Sequence, residues 1–281
     1  MTSIVHWNLD PEIVNLFGTI SLRYYGILFT TGLLLAFFTV KYLFEKEGYS
    51  PKHLDALGLY ILIGTVFGAR LGHCLFYDPV YYLSNPFEMI LPFKWDSDTG
   101  FMFTGYLGLA SHGGAIGVLI ATYIFTKKYD YKFLWLFDRI AIAFPIAAVF
   151  IRFGNFFNSE ILGKPTNGDY GVVFAQIDLI PRHPAQLYEA SAYLLIFVVL
   201  MFLFSNIRKR SNGFYFGISI ALLSSARFLI EFFKENQVAF ESGLFLNMGQ
   251  FLSIPFILVG VALALKNRAE KEDKVEESEM S

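Results

Sequence analysis

The sequence predicts an all-α integral membrane protein with about seven transmembrane helices. Hydrophobic residues make up 55% of the 281 residues and charged residues only 16%, whereas about 25% of the residues in a soluble domain are charged. So few charges cannot supply the polar shell that a soluble fold of this length needs. Seven apolar stretches have the length of about 20 residues that spans a bilayer. They lie near 18–40, 54–76, 103–125, 133–151, 185–204, 213–233 and 247–265.

The basic residues of the short loops predict how these helices are oriented. Lys and Arg are enriched in cytoplasmic loops, and here they cluster after the first, third, fifth and seventh stretch. The clusters are Lys41, Lys46 and Lys52; Lys127, Lys128 and Lys132; Arg208, Lys209 and Arg210; and Lys266, Arg268, Lys271 and Lys274. We therefore expect the N-terminus outside, the C-terminus in the cytoplasm, and a small external head region from segments 77–102 and 152–184.

The composition changes once along the chain. Residues 1–265 contain every apolar stretch and are predicted to form one polytopic membrane domain. Residues 266–281 carry dense mixed charge without apolar periodicity, which predicts a disordered cytoplasmic tail. The net charge of −2 gives no basic field and speaks against a nucleic-acid partner. The single cysteine, Cys74, excludes an internal disulfide, and no Cys/His group has zinc-ligand spacing, so we expect no metal.

Arginines inside the apolar stretches are candidate functional residues, because a charge in the hydrocarbon region is costly. Arg23 and Arg139 lie near the ends of their stretches, where a long side chain can reach the interface. Arg70 and Arg227 lie deeper. Glu231 follows Arg227 at the i+4 spacing that permits a helical ion pair. A purely structural pair explains this spacing too, but a functional site is the favoured interpretation.

The densest polar segment, RFGNFFNSEILG, runs from Arg152 to Gly163. The planar fork of arginine suits a phosphate, and Asn155 and Asn158 can both donate and accept hydrogen bonds. With Glu160 and three interleaved phenylalanines, the segment offers charge beside apolar surface. It therefore fits an anionic lipid headgroup with acyl chains. The alternative is a helix end that turns into a loop.

Two further polar segments border predicted helices. His112 lies in SHGGAIG, where the glycines allow close approach of a backbone or a lipid chain. A lone membrane histidine of this kind is often only hydrogen-bonded between helices. His183 and Pro184 open the fifth stretch, and Gln186 and Glu189 follow one turn apart on one helix face.

Together these segments resemble the prolipoprotein diacylglyceryl transferases of bacterial inner membranes. The resemblance covers nearly the whole chain. It rests on six ordered motifs: Arg23-Tyr-Tyr25-Gly26, Gly68-Ala-Arg70-Leu-Gly72 with Phe76-Tyr77, His112-Gly113-Gly114, Asp138, Arg152 to Gly163, and His183 to Glu189. It implies transfer of the sn-1,2-diacylglyceryl group from phosphatidylglycerol to the lipobox cysteine of a preprolipoprotein in the bilayer. A thioether forms, glycerol phosphate is released, and no metal or organic cofactor is implied.

The resemblance also implies roles for individual residues. It marks Tyr25, His112, Arg152 and Arg227 as catalytic, with both arginines near the lipid phosphate and His112 as a candidate base for the thiol. Arginine electrostatics is the alternative source of the thiolate. The implied substrate-binding residues are Arg70, Asn155, Asn158, Glu160, Gly163, His183, Gln186, Glu189 and Glu231. One departure is Leu223, which stands where familiar family members have a tyrosine.

Two other function classes compete with this hypothesis. A transporter or channel for an anionic solute could also line its path with buried arginines. The lack of a convincing internal repeat speaks against a transporter built from inverted halves. An intramembrane protease is less favoured, since the sequence has no HExxH and only a bare Gly217-Ile-Ser219.

Overall fold

The computed structural model describes residues 3–16, 20–91, 93–96, 100–103, 108, 110–207, 210–235 and 245–279. Its helices are α1 (Tyr24–Lys46), α2 (Leu54–Phe76), α3 (Pro79–Ser84), α4 (Pro86–Ile90), α5 (Ser111–Tyr129), α6 (Phe133–Phe157), α7 (Ala185–Asn206), α8 (Phe214–Ile230) and α9 (Met248–Glu279), with 3-10 turns at Pro51–His53 and Glu231–Phe233. Its strands are β1 (Ser3–Trp7), β2 (Glu12–Leu16), β3 (Ile20–Arg23), β4 (Phe93–Asp96), β5 (Gly100–Phe103), β6 (Tyr170–Phe174) and β7 (Pro181–Arg182).

Six helical segments in the described part of the chain are long and apolar enough to cross a membrane. They are Tyr24–Lys46, Pro51–Phe76, Phe133–Phe157, Ala185–Asn206, Phe214–Phe233 and Met248–Lys266. The prediction of an all-α multi-pass membrane protein is confirmed. The third predicted stretch corresponds to α5, which is less apolar because it begins with Ser111 and His112 and ends near Lys127 and Lys128; residues 104–107 and 109 of that stretch lie outside the described residues. The count of seven and the orientation stay predictions.

Three predicted boundaries differ from the structure. The first helix begins only at Tyr24 because β3 precedes it, so Arg23 lies on a strand and not inside a span. Helix α6 continues to Phe157, which places Arg152 and Asn155 on its last turns; the external location of segment 152–184 stays a prediction. Helix α9 continues to Glu279 through the tail predicted to be disordered. Its Ala, Glu and Lys residues favour extension of a helix that has already formed; the division at residue 265 stays a prediction.

The chain folds into two compact units, one of Met1–Leu43 with Phe137–Ser281 and one of Phe44–Leu136. The core of the first unit includes Leu43 of α1, Ile142 of α6, Leu200 of α7 and Tyr215 of α8. These buried side chains hold together the helices that carry most of the candidate site residues. Because lipid tails are as apolar as these side chains, the helices are held together by van der Waals packing.

A three-stranded sheet joins the N-terminal segment to the segment before α7. Strand β6 pairs in parallel with β1 and antiparallel with β7. The Trp7 ring lies 4.6 Å from that of Phe156 and 5.2 Å from that of Phe157. Arg182 of β7 pairs with Asp178 at 2.5 Å and with Glu235 at 2.9 Å, and its guanidinium holds the pKa of Asp178 below its usual range. The sheet therefore fixes the backbone that follows α6.

In the second unit, α2 and α5 touch through glycines. A Cβ atom on Gly68 would lie 2.8 Å from Cα of Gly117, and one on Gly72 would lie 2.7 Å from Cα of Gly113. Glycines spaced by four residues give a helix a flat side on which a second backbone can lie. The glycines of SHGGAIG allow close approach of either a backbone or a lipid chain. At Gly113 and Gly117 the structure shows the backbone of α2.

Two buried polar contacts fix α8 against α6 in the first unit. The carboxylate of Asp138, which is 1% exposed, accepts hydrogen bonds from the backbone N–H groups of Gly213 and Phe216, both at 2.8 Å. It thus caps the first turn of α8 from another helix. Pro145 has no N–H, which frees the Ala141 carbonyl, and the Ser219 hydroxyl donates to it at 2.8 Å.

Replacing Asp138 by alanine is expected to destabilise the protein. Two buried N–H groups lose their acceptor, which costs about 1–3 kcal/mol for each unsatisfied group. Thermal unfolding in detergent measures the effect, with Asp55→Ala, at an exposed aspartate in the first turn of α2, as the matched control. A melting temperature of Asp138→Ala equal to that of the control variant would contradict the capping role.

Candidate functional site

A pocket between α6, α7 and α8 brings two arginines together. It has a volume of about 250 Å³, and Arg152, Arg227, Tyr193 and Ser224 contribute its polar lining. Its apolar lining comes from Phe144, Ala148, Ile151 and Leu223. Phe144, Ala148 and Arg152 follow each other at four-residue spacing on one face of α6, so an apolar wall leads to a guanidinium. This combination suits an anionic group that is attached to an apolar chain.

Arg152 is held in place from two sides. Its Nε lies 2.8 Å from Oε2 of Glu189, a residue of α7 with a fully buried side chain. One guanidinium N–H also donates to Oδ1 of Asn155 at 3.1 Å, one turn further along α6. Because an ion pair and a hydrogen bond fix its plane, Arg152 presents a fork of defined orientation to the pocket.

The turn after α6 gathers the predicted polar residues around Glu160. The amides of Asn155 and Asn158 donate to its two carboxylate oxygens at 3.2 and 2.9 Å. The amide of Gln186, from the first turn of α7, donates to the Glu160 carbonyl at 2.5 Å. The chain makes this tight turn with left-handed backbone at Ser159 and Ile161, each with φ of 54°. Glu160 therefore contacts Arg152 only through Asn155.

Arg227 has neither an ion pair nor a hydrogen bond with any residue that the structure describes. The ion pair with Glu231 that the spacing permits is not formed. Helix α8 ends at Ile230, but Glu231 keeps helical backbone angles and its N–H donates to the Arg227 carbonyl, so the direction of its side chain decides its partner. Oε2 of Glu231 lies instead 3.1 Å from Nζ of Lys234. Arg227 thus lines the pocket as a cation without a counter-ion in the described part of the chain.

Lys234 is the site residue that the sequence analysis missed. Its side chain is 2% exposed, and its Nζ also lies 3.7 Å from Oε1 of Glu189. The ammonium group thus lies between two buried carboxylates, one of which holds Arg152. The signal in the sequence is the i+3 spacing of Glu231 and Lys234, which Arg227 obscured as the more obvious partner.

Three other predicted site residues are Tyr25, Gly163 and His183. The ring of Tyr25 lies on the backbone of α6, since a Cβ on Gly154 would be 2.7 Å from its Cδ2. Gly163 lies against His183, where an added Cβ would be 2.7 Å from that of the histidine. Nδ1 of His183 lies 3.3 Å from the Tyr188 hydroxyl. The two glycines are therefore needed for close approach, and a side chain at either would displace its neighbour.

Arg70 and His112 belong to the second unit. Arg70 donates from Nη2 to the Glu88 carbonyl at 2.6 Å and from Nε to the Met89 carbonyl at 3.3 Å. Its guanidinium also lies 5.0 Å from the centre of the Tyr82 ring. These contacts give Arg70 a role in holding α4, and its part in lipid binding stays a prediction. His112 is exposed in the first turn of α5.

No group of three or more His, Cys, Asp or Glu side chains within the described ranges is placed to hold a metal ion. The polar side chains that line the pocket are two guanidinium groups and two hydroxyl groups. Their chemistry is recognition and stabilisation of an anion by charge-assisted hydrogen bonds.

The fold defines a multi-pass membrane protein, and two arginines line a pocket beside an apolar wall. The family model for prolipoprotein diacylglyceryl transferase matches residues 11–266. The chain belongs to this family, as its motifs predicted, and this membership does not support the transporter alternative.

Three relatives carry the name phosphatidylglycerol–prolipoprotein diacylglyceryl transferase. The protein of Bacteroides fragilis is 48% identical over 258 residues, which cover 92% of this chain and 93% of the relative. The protein of Tolumonas auensis is 46% identical over 269 residues, covering 95% and 99%. That of Chloroherpeton thalassium is 39% identical over 268 residues, covering 95% of each chain. The similarity thus extends over nearly the full length of this chain and of each relative.

Proposed function

We propose that the protein transfers the diacylglyceryl group of phosphatidylglycerol to the lipobox cysteine of preprolipoproteins in the inner membrane of a bacterium. The relatives' names support the reaction, and the pocket supports its location in the chain. The observation that carries this proposal is Arg227, a cation without an ionic partner among the described residues, in a pocket with an apolar wall. A charge in such surroundings is stabilised by binding an anion.

The lipid phosphate lies between Arg152 and Arg227 in this proposal. The sulfur of the cysteine thiolate attacks the glycerol carbon that carries the phosphate ester. A C–S bond forms as the C–O bond breaks, and the electron pair leaves with the phosphate oxygen. The two guanidinium groups stabilise the charge that develops on the departing glycerol phosphate.

The thiol proton has two proposed routes. His112 accepts it as a general base, or the arginine field lowers the pKa of the thiol so that no base is needed. Tyr25 and the remaining polar residues orient the reactants. No metal or organic cofactor takes part in this proposal.

Two buried acceptors support a headgroup with hydroxyls as the ligand. Oε1 of Gln186 and Oδ1 of Asn158 are buried and have no hydrogen-bond donor within the described residues. An unsatisfied buried acceptor is costly, and a hydroxyl group is a donor that fits it. We propose that the glycerol hydroxyls of the headgroup donate to these two oxygens next to Glu160.

The assay uses the purified protein in phosphatidylglycerol vesicles with a synthetic lipobox peptide. We expect mass spectrometry to find a mass increase equal to one diacylglyceryl group on the cysteine. A peptide with serine in place of the cysteine is the matched control and stays unmodified. An unmodified cysteine peptide, with an active relative working alongside, would exclude the proposed function.

A further inference from the structure

We propose that Lys234 is a positioning residue that keeps both pocket arginines available for the lipid phosphate. The proposal rests on the proposed function, because it concerns the same phosphate site. Lys234 pairs with two buried carboxylates, Glu231 at 3.1 Å and Glu189 at 3.7 Å. It thereby prevents Glu231 from pairing with Arg227, and because it lies at Oε1 of Glu189 it leaves Oε2 to orient Arg152.

Six charged side chains form the charged cluster of the site, and their charges balance only when Lys234 is included. Arg152, Arg227 and Lys234 are cationic, and Glu160, Glu189 and Glu231 are anionic. Glu189 is 0% exposed and Glu231 is 5% exposed, so neither carboxylate is stabilised by bulk water. A buried carboxylate needs a cation, since its desolvation is otherwise uncompensated. A neutral side chain at 234 would leave the cluster with an excess carboxylate beside the phosphate site.

The Glu231 carboxylate cannot turn away from Arg227 towards α9. The backbone of α9 lies against its carboxyl group, because a Cβ on Gly249 would be 2.7 Å from Cδ of Glu231. Arg227 lies one turn before Glu231, and the Glu231 N–H donates to the Arg227 carbonyl, so their spacing permits an ion pair. Without the ammonium group, Arg227 is therefore the cation that Glu231 recruits.

The backbone around Lys234 delivers the ammonium group to this position. The Lys164 N–H donates to the Phe233 carbonyl at 2.8 Å, and the Glu235 N–H donates to the Leu162 carbonyl at 3.2 Å. Gly163 and Lys234 form the bridge between these two bonds. A lysine suits the place because its compact ammonium carries three donors and can serve two carboxylates at once.

The test compares Lys234→Met with the double variant Lys234→Met/Glu231→Gln. We expect Lys234→Met to raise the KM for phosphatidylglycerol and to lower kcat/KM about 10-fold to 100-fold, because an ion pair of Arg227 with Glu231 competes with the phosphate. The double variant lacks the competing carboxylate, so its KM should return to within about threefold of Glu231→Gln alone. Lys132→Met, at an exposed lysine between α5 and α6, is the matched control and keeps the wild-type KM.

Each outcome decides the proposal. A wild-type KM in Lys234→Met would overturn the proposal. A KM in the double variant that stays as high as in Lys234→Met would also overturn it, because a lysine with a merely structural role would not be compensated by Glu231→Gln. If Lys234→Met fails to fold, the double variant is compared with Glu231→Gln alone, and equal KM values support the proposal while a higher KM in the double variant overturns it. A fully active Arg227→Ala would instead refute the phosphate site itself, whatever Lys234→Met shows.

Discussion

Replacing Arg227 by alanine is expected to lower kcat/KM for diacylglyceryl transfer by about 10²-fold to 10³-fold, the effect typical of removing one donor to a developing anion. The protein should insert and fold normally, because Arg227 holds no described residue by an ion pair or hydrogen bond. Initial rates of peptide modification over a range of phosphatidylglycerol concentrations measure the change.

Two variants sharpen the interpretation of Arg227. Arg227→Lys keeps the charge but loses the planar fork, so we expect an activity between those of the wild type and Arg227→Ala. Lys132→Ala removes an exposed cation between α5 and α6 and is expected to leave the rate unchanged. Wild-type turnover by Arg227→Ala would contradict the assignment of the phosphate to this pocket.

Replacing Arg152 by alanine is expected to have two effects, loss of transfer by at least about 10³-fold and a lower stability. The stability falls because Glu189, which is fully buried, loses the partner that lies 2.8 Å away. Breaking a buried pair by removing one partner costs about 3–5 kcal/mol, and the loss is smaller here because Lys234 remains 3.7 Å from the other oxygen of Glu189. Transfer assays and thermal unfolding in detergent measure the two effects separately.

A second variant separates the catalytic effect from the structural one. Arg152→Gln/Glu189→Gln leaves no unpaired buried charge, so its melting temperature should lie closer to that of the wild type than that of Arg152→Ala. Its transfer activity should remain lost, because the phosphate still lacks one guanidinium. Activity that recovers together with stability would show that Arg152 acts only on the fold.

The membrane helices were predictable from the sequence because apolar runs of bilayer length are a strong local signal. The segment from Arg152 to Gly163 was predictable for a similar reason, since its polar residues stand out among phenylalanines. The pairing of β1 with β6 was not, because Ser3 and Tyr170 are neighbours only in the fold. The local signal for β1 is its β-branched residues, Ile4 and Val5, and two such residues are too few to predict a strand.

The partners of the charged side chains were the least predictable part of the site. The spacing of Arg227 and Glu231 permits an ion pair, but the Glu231 carboxylate pairs with Lys234 instead. Lys234 takes that carboxylate, since the 3-10 turn brings its side chain to the same place. Arg70 has backbone carbonyls as acceptors, and no side-chain pattern in a sequence reports those.

The most direct test of the central claim follows both products of one reaction. The protein is incubated with a lipobox peptide and phosphatidylglycerol that carries its label in the terminal glycerol of the headgroup. We predict that labelled glycerol phosphate appears in a one-to-one ratio with the thioether-linked peptide, and that neither product forms with Arg152→Ala. Peptide modification without release of glycerol phosphate, or release without modification, would contradict transfer of the diacylglyceryl group.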